Sequence, residues 1–289
     1  MAHNIKALKG ARILSLSLNL PGPAALMRCK AMGATCVKLE PPSGDPMGLY
    51  NPSAYAQLHK GVRIAKADLK GELGQRALHR ELAKTDVLLT SFRPSALKKL
   101  GLVWKDLHKQ YPQLSVVAIV GAPGARAEEP GHDLTYMAEN DLIPGLDLPA
   151  SLYADMGGSL MATEAVLQAV LTQRSKGKGV YLEIALSEAA AYIGLPRTWG
   201  LTKSGAAVGG GHAGYNVYAC KDGRVAVAAL EPHFAASLCA LVGVAVEGIK
   251  TMFAPQTHKT IETWLATQTR QQLDDLAVKH DIPLHTLPK

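Results

Sequence analysis

Apolar positions in the first 120 residues come in short bursts separated by longer segments of mixed character. ARILSLSL, ATCVKLE, DVLLTSF and LSVVAIVG are β-type runs. Between them, residues 21–32, LGQRALHRELAKT and SALKKLGLVWKDLHKQY carry helix-compatible spacing. Regular alternation of strand and helix predicts a mainly parallel sheet with helices on its faces. Ligands of such sheets gather at the carboxyl ends of the strands. Here those ends are Asn19 to Pro23, Glu40-Pro41-Pro42, Ser91 to Pro94 and Gly121 to Gly124, all rich in turn formers.

Further along, GHDLTYMAEN is predicted to open a helix, and ADMGGSLMATEAVLQAVLTQRSKG to form a long one stopped by its Lys/Gly-rich end. Strand VYLEIALSE follows. KSGAAVGGGHAGYN is too rich in glycine for a packed element, so a domain boundary is placed near residue 200, giving units 1–200 and 201–289. Beyond it, YNVYACKDGRVAVAAL reads as a hairpin turning at Asp222-Gly223, and the remainder as helices. The expected fold class is therefore α/β, a Rossmann-like parallel sheet in the large domain and a smaller α/β domain after it.

Composition narrows the function. The chain has 289 residues and a formal charge of +7, but its Lys and Arg are scattered, and with three Phe it lacks the stacking platforms of nucleic-acid binders. A phosphate-bearing small molecule suits that charge better, and no nucleic-acid partner is expected. The four cysteines form no CxxC pair, so no metal site and a reducing, cytoplasmic compartment are expected. No apolar run is long enough to span a bilayer, and no membrane partner is expected.

Three acid/base candidates stand out by context: His132 in PGHDLTY, Asp155 in LYADMGG and Glu231 in AALEPHF. Each has a bland alternative. Asp155, for example, could cap a helix beginning at Met156. Taken in order, the segments LKGARILSLSLNLPGPAALMRCKAMGATCVKLEPPSGDP, DLKGELGQRALHRELAKTDVLLTSFRPSALKKLGL, PGHD, AD-x-x-G, KGKGVYLEIALSEA and KDGRVAVAALEPHF resemble the class III coenzyme A transferase superfamily, and within it the α-methylacyl-CoA racemase branch.

The resemblance implies an isomerase that racemises the α-carbon of 2-methylacyl-CoA thioesters by two-base proton transfer through an enolate. It implies His132 and Asp155 as the bases and Glu231 as the residue that orients the histidine. Two bases are needed because a proton leaves one face of the α-carbon and returns to the other. Lys38, Lys60, Arg63 and Arg93 are the implied phosphate or adenine contacts, arginine matching phosphate through its bidentate fork. No cofactor is expected beyond the coenzyme A moiety of the substrate. An interlocked homodimer is implied, with sites drawing on both subunits.

The racemases carry Asn where this chain has Ser151, and they continue past the point where this sequence stops, so the small domain is expected to be shortened at its C-terminus. Two alternatives stay open. In a class III CoA transferase Asp155 would be the covalent nucleophile, and a shortened non-catalytic CoA-binding protein needs no acid/base pair at all. Retention of His132 favours the racemase over the transferase, which has no use for an imidazole there.

Overall fold

The computed structural model describes residues 5–289, which divide into two compact units, one ending at Gly194 and the other Leu195–Lys289. In the first, the elements run β1 (Arg12–Ser15), α1 (Pro21–Ala31), β2 (Thr35–Glu40), α2 (Met47–Tyr50), α3 (Pro52–Leu58), β3 (Arg63–Lys66), α4 (Glu72–Leu82), β4 (Val87–Thr90), α5 (Pro94–Lys99), α6 (Trp104–Gln110), β5 (Ser115–Val120), α7 (Asp133–Glu139), α8 (Tyr153–Lys176), β6 (Tyr181–Ala185) and α9 (Leu186–Ile193).

The six strands are all parallel, in the order β3-β2-β1-β4-β5-β6. Strand order reverses between β1 and β4, the switch point where open α/β sheets leave a crevice at their carboxyl ends. Side chains alternate between two cores. Ile13, Leu89, Val117 and Ile119 pack with Val166 and Val170 of α8 on one face. Leu14, Leu88, Val116 and Ala118 pack with Leu78 and Leu107 on the other. Because both faces are covered, the central strands read as continuous apolar runs.

Local chemistry sets the helix ends. Pro21 occupies the first turn of α1, where its missing N–H costs nothing. Asn51 caps α3 by accepting the Ala54 N–H at 3.1 Å. Gly177, at φ 68°, closes α8. The single helix expected over SALKKLGLVWKDLHKQY is two, α5 and α6, split by Gly101 at φ 72°.

The second unit holds α10 (Leu195–Thr198), β7 (Tyr215–Cys220), β8 (Gly223–Ala228), α11 (Pro232–Val242), α12 (Pro255–Thr267), α13 (Arg270–His280) and β9 (Leu284–Leu287). Its antiparallel sheet is ordered β7-β8-β9. Tyr218, Val225 and Val227 pack against Leu238, Ile261, Leu265 and Leu273. All four cysteines are free and buried, and burial pushes the Cys29 and Cys36 thiols up to about 12, so neither is a nucleophile at neutral pH. No described helix is long and apolar enough to cross a membrane.

Candidate active site

Past the carboxyl end of β5 the chain turns through Gly121 and Gly124–Glu128 and reaches His132, which stands at the N-cap of α7 with extended backbone, φ −143°. Thr135 clamps that backbone: its Oγ1 accepts from the His132 N–H at 3.0 Å and its hydroxyl donates to the His132 carbonyl at 2.7 Å. The imidazole sits on an exposed residue. Asp133, the next residue, is buried, and its Oδ1 accepts the backbone N–H of Asp155 at 2.9 Å. One hydrogen bond thus joins the beginnings of α7 and α8.

Asp155 lies within the first turn of α8, not at its cap. The helix opens at Tyr153 after Leu152, two residues before Asp155 and three before the expected start at Met156. The bland role as helix cap therefore falls to Asp133, which serves α8 from a neighbouring helix. Asp155 itself is half-buried. Burial, then the negative charge of Asp133, raises its carboxyl from the ordinary 3.8 to about 6, while His132 pulls the other way. A helix N-terminus favours a carboxylate, yet desolvation and like charge win. His132 and Asp155 are therefore close enough to feel each other's charge, and Asp155 changes protonation state near neutrality.

Gly157 and Gly158 do not face this cluster. A methyl group added at Gly157 would stand 2.6 Å from Ile193 Cδ1, and at Gly158 2.3 Å from Leu186 Cδ2. They allow α8 to lie tightly on α9. Ser151, in the bend before α8, is exposed.

The four expected phosphate contacts divide sharply. Lys38 is fully buried. Its ammonium donates to Asp45, to Glu40 at 3.2 Å and to His59 Nε2 at 2.9 Å, which uses all three of its donors. Lys38 is therefore corrected from a ligand contact to the centre of a closed ionic cluster. The ligand atoms of Glu40, Asp45 and His59 lie within 4.8 Å of one another, and the cation they surround is this ammonium. Because the ammonium only donates, His59 must accept through Nε2 and donate from Nδ1 to the Tyr55 carbonyl at 2.7 Å. Burial holds that ring below the usual histidine range. The Asp45 carboxylate also takes the Asn19 and Met47 backbone N–H groups.

Arg63 opens β3, at the amino end of the strand, and its guanidinium is 2.8 Å from Glu81. Lys60 is exposed in the turn just before it. Arg63 stands level with Val37 of β2, and its bond to Glu81 is the one ion pair it makes among the described residues. Arg93 is placed differently. It follows β4 directly, precedes the first turn of α5, and enters no ion pair among the described residues. It lines a cavity of about 150 Å³ together with Pro21, Ser91, Gly121 and Tyr136. On the far side of Phe92 a larger hollow of about 640 Å³ has an apolar floor of Leu69, Phe92 and Leu100, with Lys70 and Lys99 at its rim. These two lysines were missed at the level of sequence, where nothing separates them from other surface lysines.

Glu231 lies in the second unit, exposed, immediately before α11.

Comparison with known proteins bears on this geometry. A sequence profile described as CoA-transferase family III matches residues 8–288. The human alpha-methylacyl-CoA racemase is 30% identical over 246 residues, covering 79% of this chain and 63% of the racemase. The human succinyl-CoA:glutarate CoA-transferase is 26% identical over 269 residues, covering 83% of this chain and 60% of the transferase. The chain thus spans a little under two thirds of the length of either human relative. Among solved structures, a hypothetical protein from Mycobacterium tuberculosis superposes with a TM-score of 0.83 at 23% identity, covering 97% of this chain and 85% of that one. A CAIB/BAIF family protein from Brucella suis gives 0.82 at 22% identity, covering 98% and 84%.

Proposed function

The chain belongs to the CoA-transferase family III, whose relatives include racemases and CoA transferases, and from that premise we propose that it racemises the α-carbon of 2-methylacyl-CoA thioesters. The observation that carries the proposal is an exposed imidazole and a half-buried carboxyl at two helix starts joined by the Asp133 hydrogen bond, near enough for His132 to act on the carboxyl, which is raised to about 6.

Racemisation needs two groups that can each hold or release one proton near neutral pH. In one direction neutral His132 removes the α-proton while protonated Asp155 delivers one to the opposite face. In the other, the Asp155 carboxylate removes it and the His132 imidazolium delivers. Either way the pair carries one proton in all, so one protonation state serves both directions. The intermediate is the enolate of the thioester, whose oxygen needs preorganised hydrogen-bond donors. Glu231 orients His132 in this proposal.

Arg93 receives a phosphate of the coenzyme A moiety, and the hollow bounded by Phe92, Lys70 and Lys99 suits its adenosine end, a flat apolar ring edged with phosphate. A homodimer belongs to the same proposal.

A second reading is favoured by the relatives that transfer coenzyme A between acids, the succinyl-CoA:glutarate enzyme among them. There Asp155 attacks the thioester carbonyl as a carboxylate and coenzyme A leaves. Incubation with an (R)-2-methylacyl-CoA in deuterated water separates the two. Deuterium at the α-carbon with loss of chirality is expected; transfer of coenzyme A to an added carboxylate, with no deuterium at the α-carbon, would overturn the racemase.

A further inference from the structure

The hydroxyl of Tyr136 has no use inside the protein. Tyr136 belongs to α7, one turn beyond His132, and is 7% exposed, yet its hydroxyl takes no hydrogen bond among the described residues. The hydroxyl is not one of the sealed, unpartnered polar atoms of the described residues, so it stays open to whatever enters from outside. Nor is the hydroxyl crowded out. The chain clears space for it twice: a methyl group at Gly121 would stand 2.2 Å from the oxygen, and one at Gly131 would stand 2.5 Å from it. One of these glycines immediately follows β5 and the other immediately precedes His132, so any other residue at either place would push the ring away.

The same side chain forms part of the wall of the 150 Å³ cavity, with Arg93, Ser91 and Pro21 around it. That volume corresponds to about five waters at their share of the liquid. It holds a carbonyl group with its immediate substituents, not a nucleoside or a whole pantetheine arm. Burial and the neighbouring Asp155 charge keep the phenol protonated, as a donor.

We propose that the Tyr136 hydroxyl, held open between Gly121 and Gly131, is a substrate contact that donates to a carbonyl oxygen of the acyl-CoA beside the acid/base pair. The carbonyl is either that of the thioester or that of the first amide of the pantetheine arm. In both cases the bond sets how the α-carbon lies against His132 and Asp155. The proposal rests on acyl-CoA being the substrate and deepens that reading without requiring racemisation.

Tyr136→Phe tests it, since the ring stays and only the hydroxyl goes. Calorimetric binding of three probes, free coenzyme A, a 2-methylacyl-CoA and an S-alkyl-CoA thioether that lacks the thioester carbonyl, is paired with thermal unfolding and α-deuterium exchange. Expected are an unchanged unfolding temperature, because no internal bond is lost, and acyl-CoA affinity or turnover lowered about tenfold. If the loss appears with the acyl-CoA and not with the thioether, the thioester carbonyl is the acceptor. An equal loss for all three assigns the pantetheine amide. A folded variant that binds and turns over like the wild type overturns the proposal, as does one whose only change is lower stability. Binding needs no turnover: a wild type that binds acyl-CoA and exchanges no α-proton refutes the racemase while Tyr136 is still tested.

Discussion

Two clusters of charged groups stand toward the carboxyl edge of the same sheet, and they are built on opposite terms. Around Lys38 every donor meets an acceptor: Glu40, Asp45 and His59 surround the ammonium, and Asp45 also ties down two backbone N–H groups. Around Asp155 the arrangement is different. Its backbone is fixed by Asp133 and that of His132 by Thr135, while the carboxyl, half-buried, has no ion-pair partner among the described residues and feels the charges of Asp133 and His132. A buried charge set that satisfies itself has nothing left to offer a ligand and acts on the fold. One that holds its backbone rigid and leaves its titrating atoms free is equipped for chemistry. Being charged and at the strand ends is common to both, so position alone does not separate structure from function.

The sharpest test of that contrast is removal of the open groups. His132→Ala and Asp155→Ala are each expected to lower racemisation about a thousandfold, while the remaining base can still exchange the α-proton of the one enantiomer it faces, with free coenzyme A binding close to wild type by calorimetry. Equal activity in His132→Ala would end the two-base assignment. For the closed cluster the expectation is inverted. Lys38→Met leaves the Glu40 and Asp45 carboxylates buried without their cation and should lower stability by about 3 to 5 kcal/mol in urea unfolding, with coenzyme A affinity of the folded fraction unchanged. A well-folded Lys38→Met that has lost coenzyme A would return Lys38 to the ligand. Smaller again is the effect of Arg93→Ala, which should weaken coenzyme A about tenfold and flatten the salt dependence of binding. An unaltered affinity would remove Arg93 from the phosphate site.

How much of this could be read from residues alone follows the same division. β1, β4 and β5 announce themselves because strands covered on both faces are apolar along their length, and β2 and β6 show as shorter β-type runs interrupted by charge. β3 escaped notice: Arg63–Lys66 is a short edge strand with a cation at each end, and β9, Leu284–Leu287, is a similarly short strand at the edge of its sheet. The hairpin expected at Asp222-Gly223 exists, but its loop is Lys221 and Asp222. Gly223 already pairs with Cys220, and a side chain there would strike the Leu287 carbonyl of β9.

His132 and Asp155 could be picked out as candidates because each sits in a local motif at a helix start. The fate of Lys38 was not, since Asp45 and His59 reach it only through the turn after β2 and the short helices that follow. Tyr136 was quoted within a motif yet given no role, because the room that Gly121 and Gly131 leave for its hydroxyl is a property of packing. Asp133 likewise acts only through a helix start that lies more than twenty residues on in the chain.

The smallest expected effect probes the cost of keeping the open cluster open. The Asp155 carboxyl titrates near 6 in the folded protein against an ordinary 3.8. The folded state therefore binds this proton more tightly than the unfolded chain does. The stability this confers is complete below about pH 4, is lost as pH rises toward 6, and above that the ionised group is a constant penalty. Asp155→Asn keeps the shape and removes the charge. It should be more stable than wild type above pH 6 by about 1 kcal/mol, discounted from the full shift because the group is partly solvated. The advantage should shrink to nothing as pH falls to 4, where wild-type Asp155 is itself protonated. Urea unfolding of both proteins at several pH values between 4 and 8 measures the difference. An Asn variant that is less stable than wild type at pH 7.5 would mean that the site stabilises the carboxylate, as the Lys38 cluster stabilises Asp45, and the distinction between the open and the closed cluster would fall.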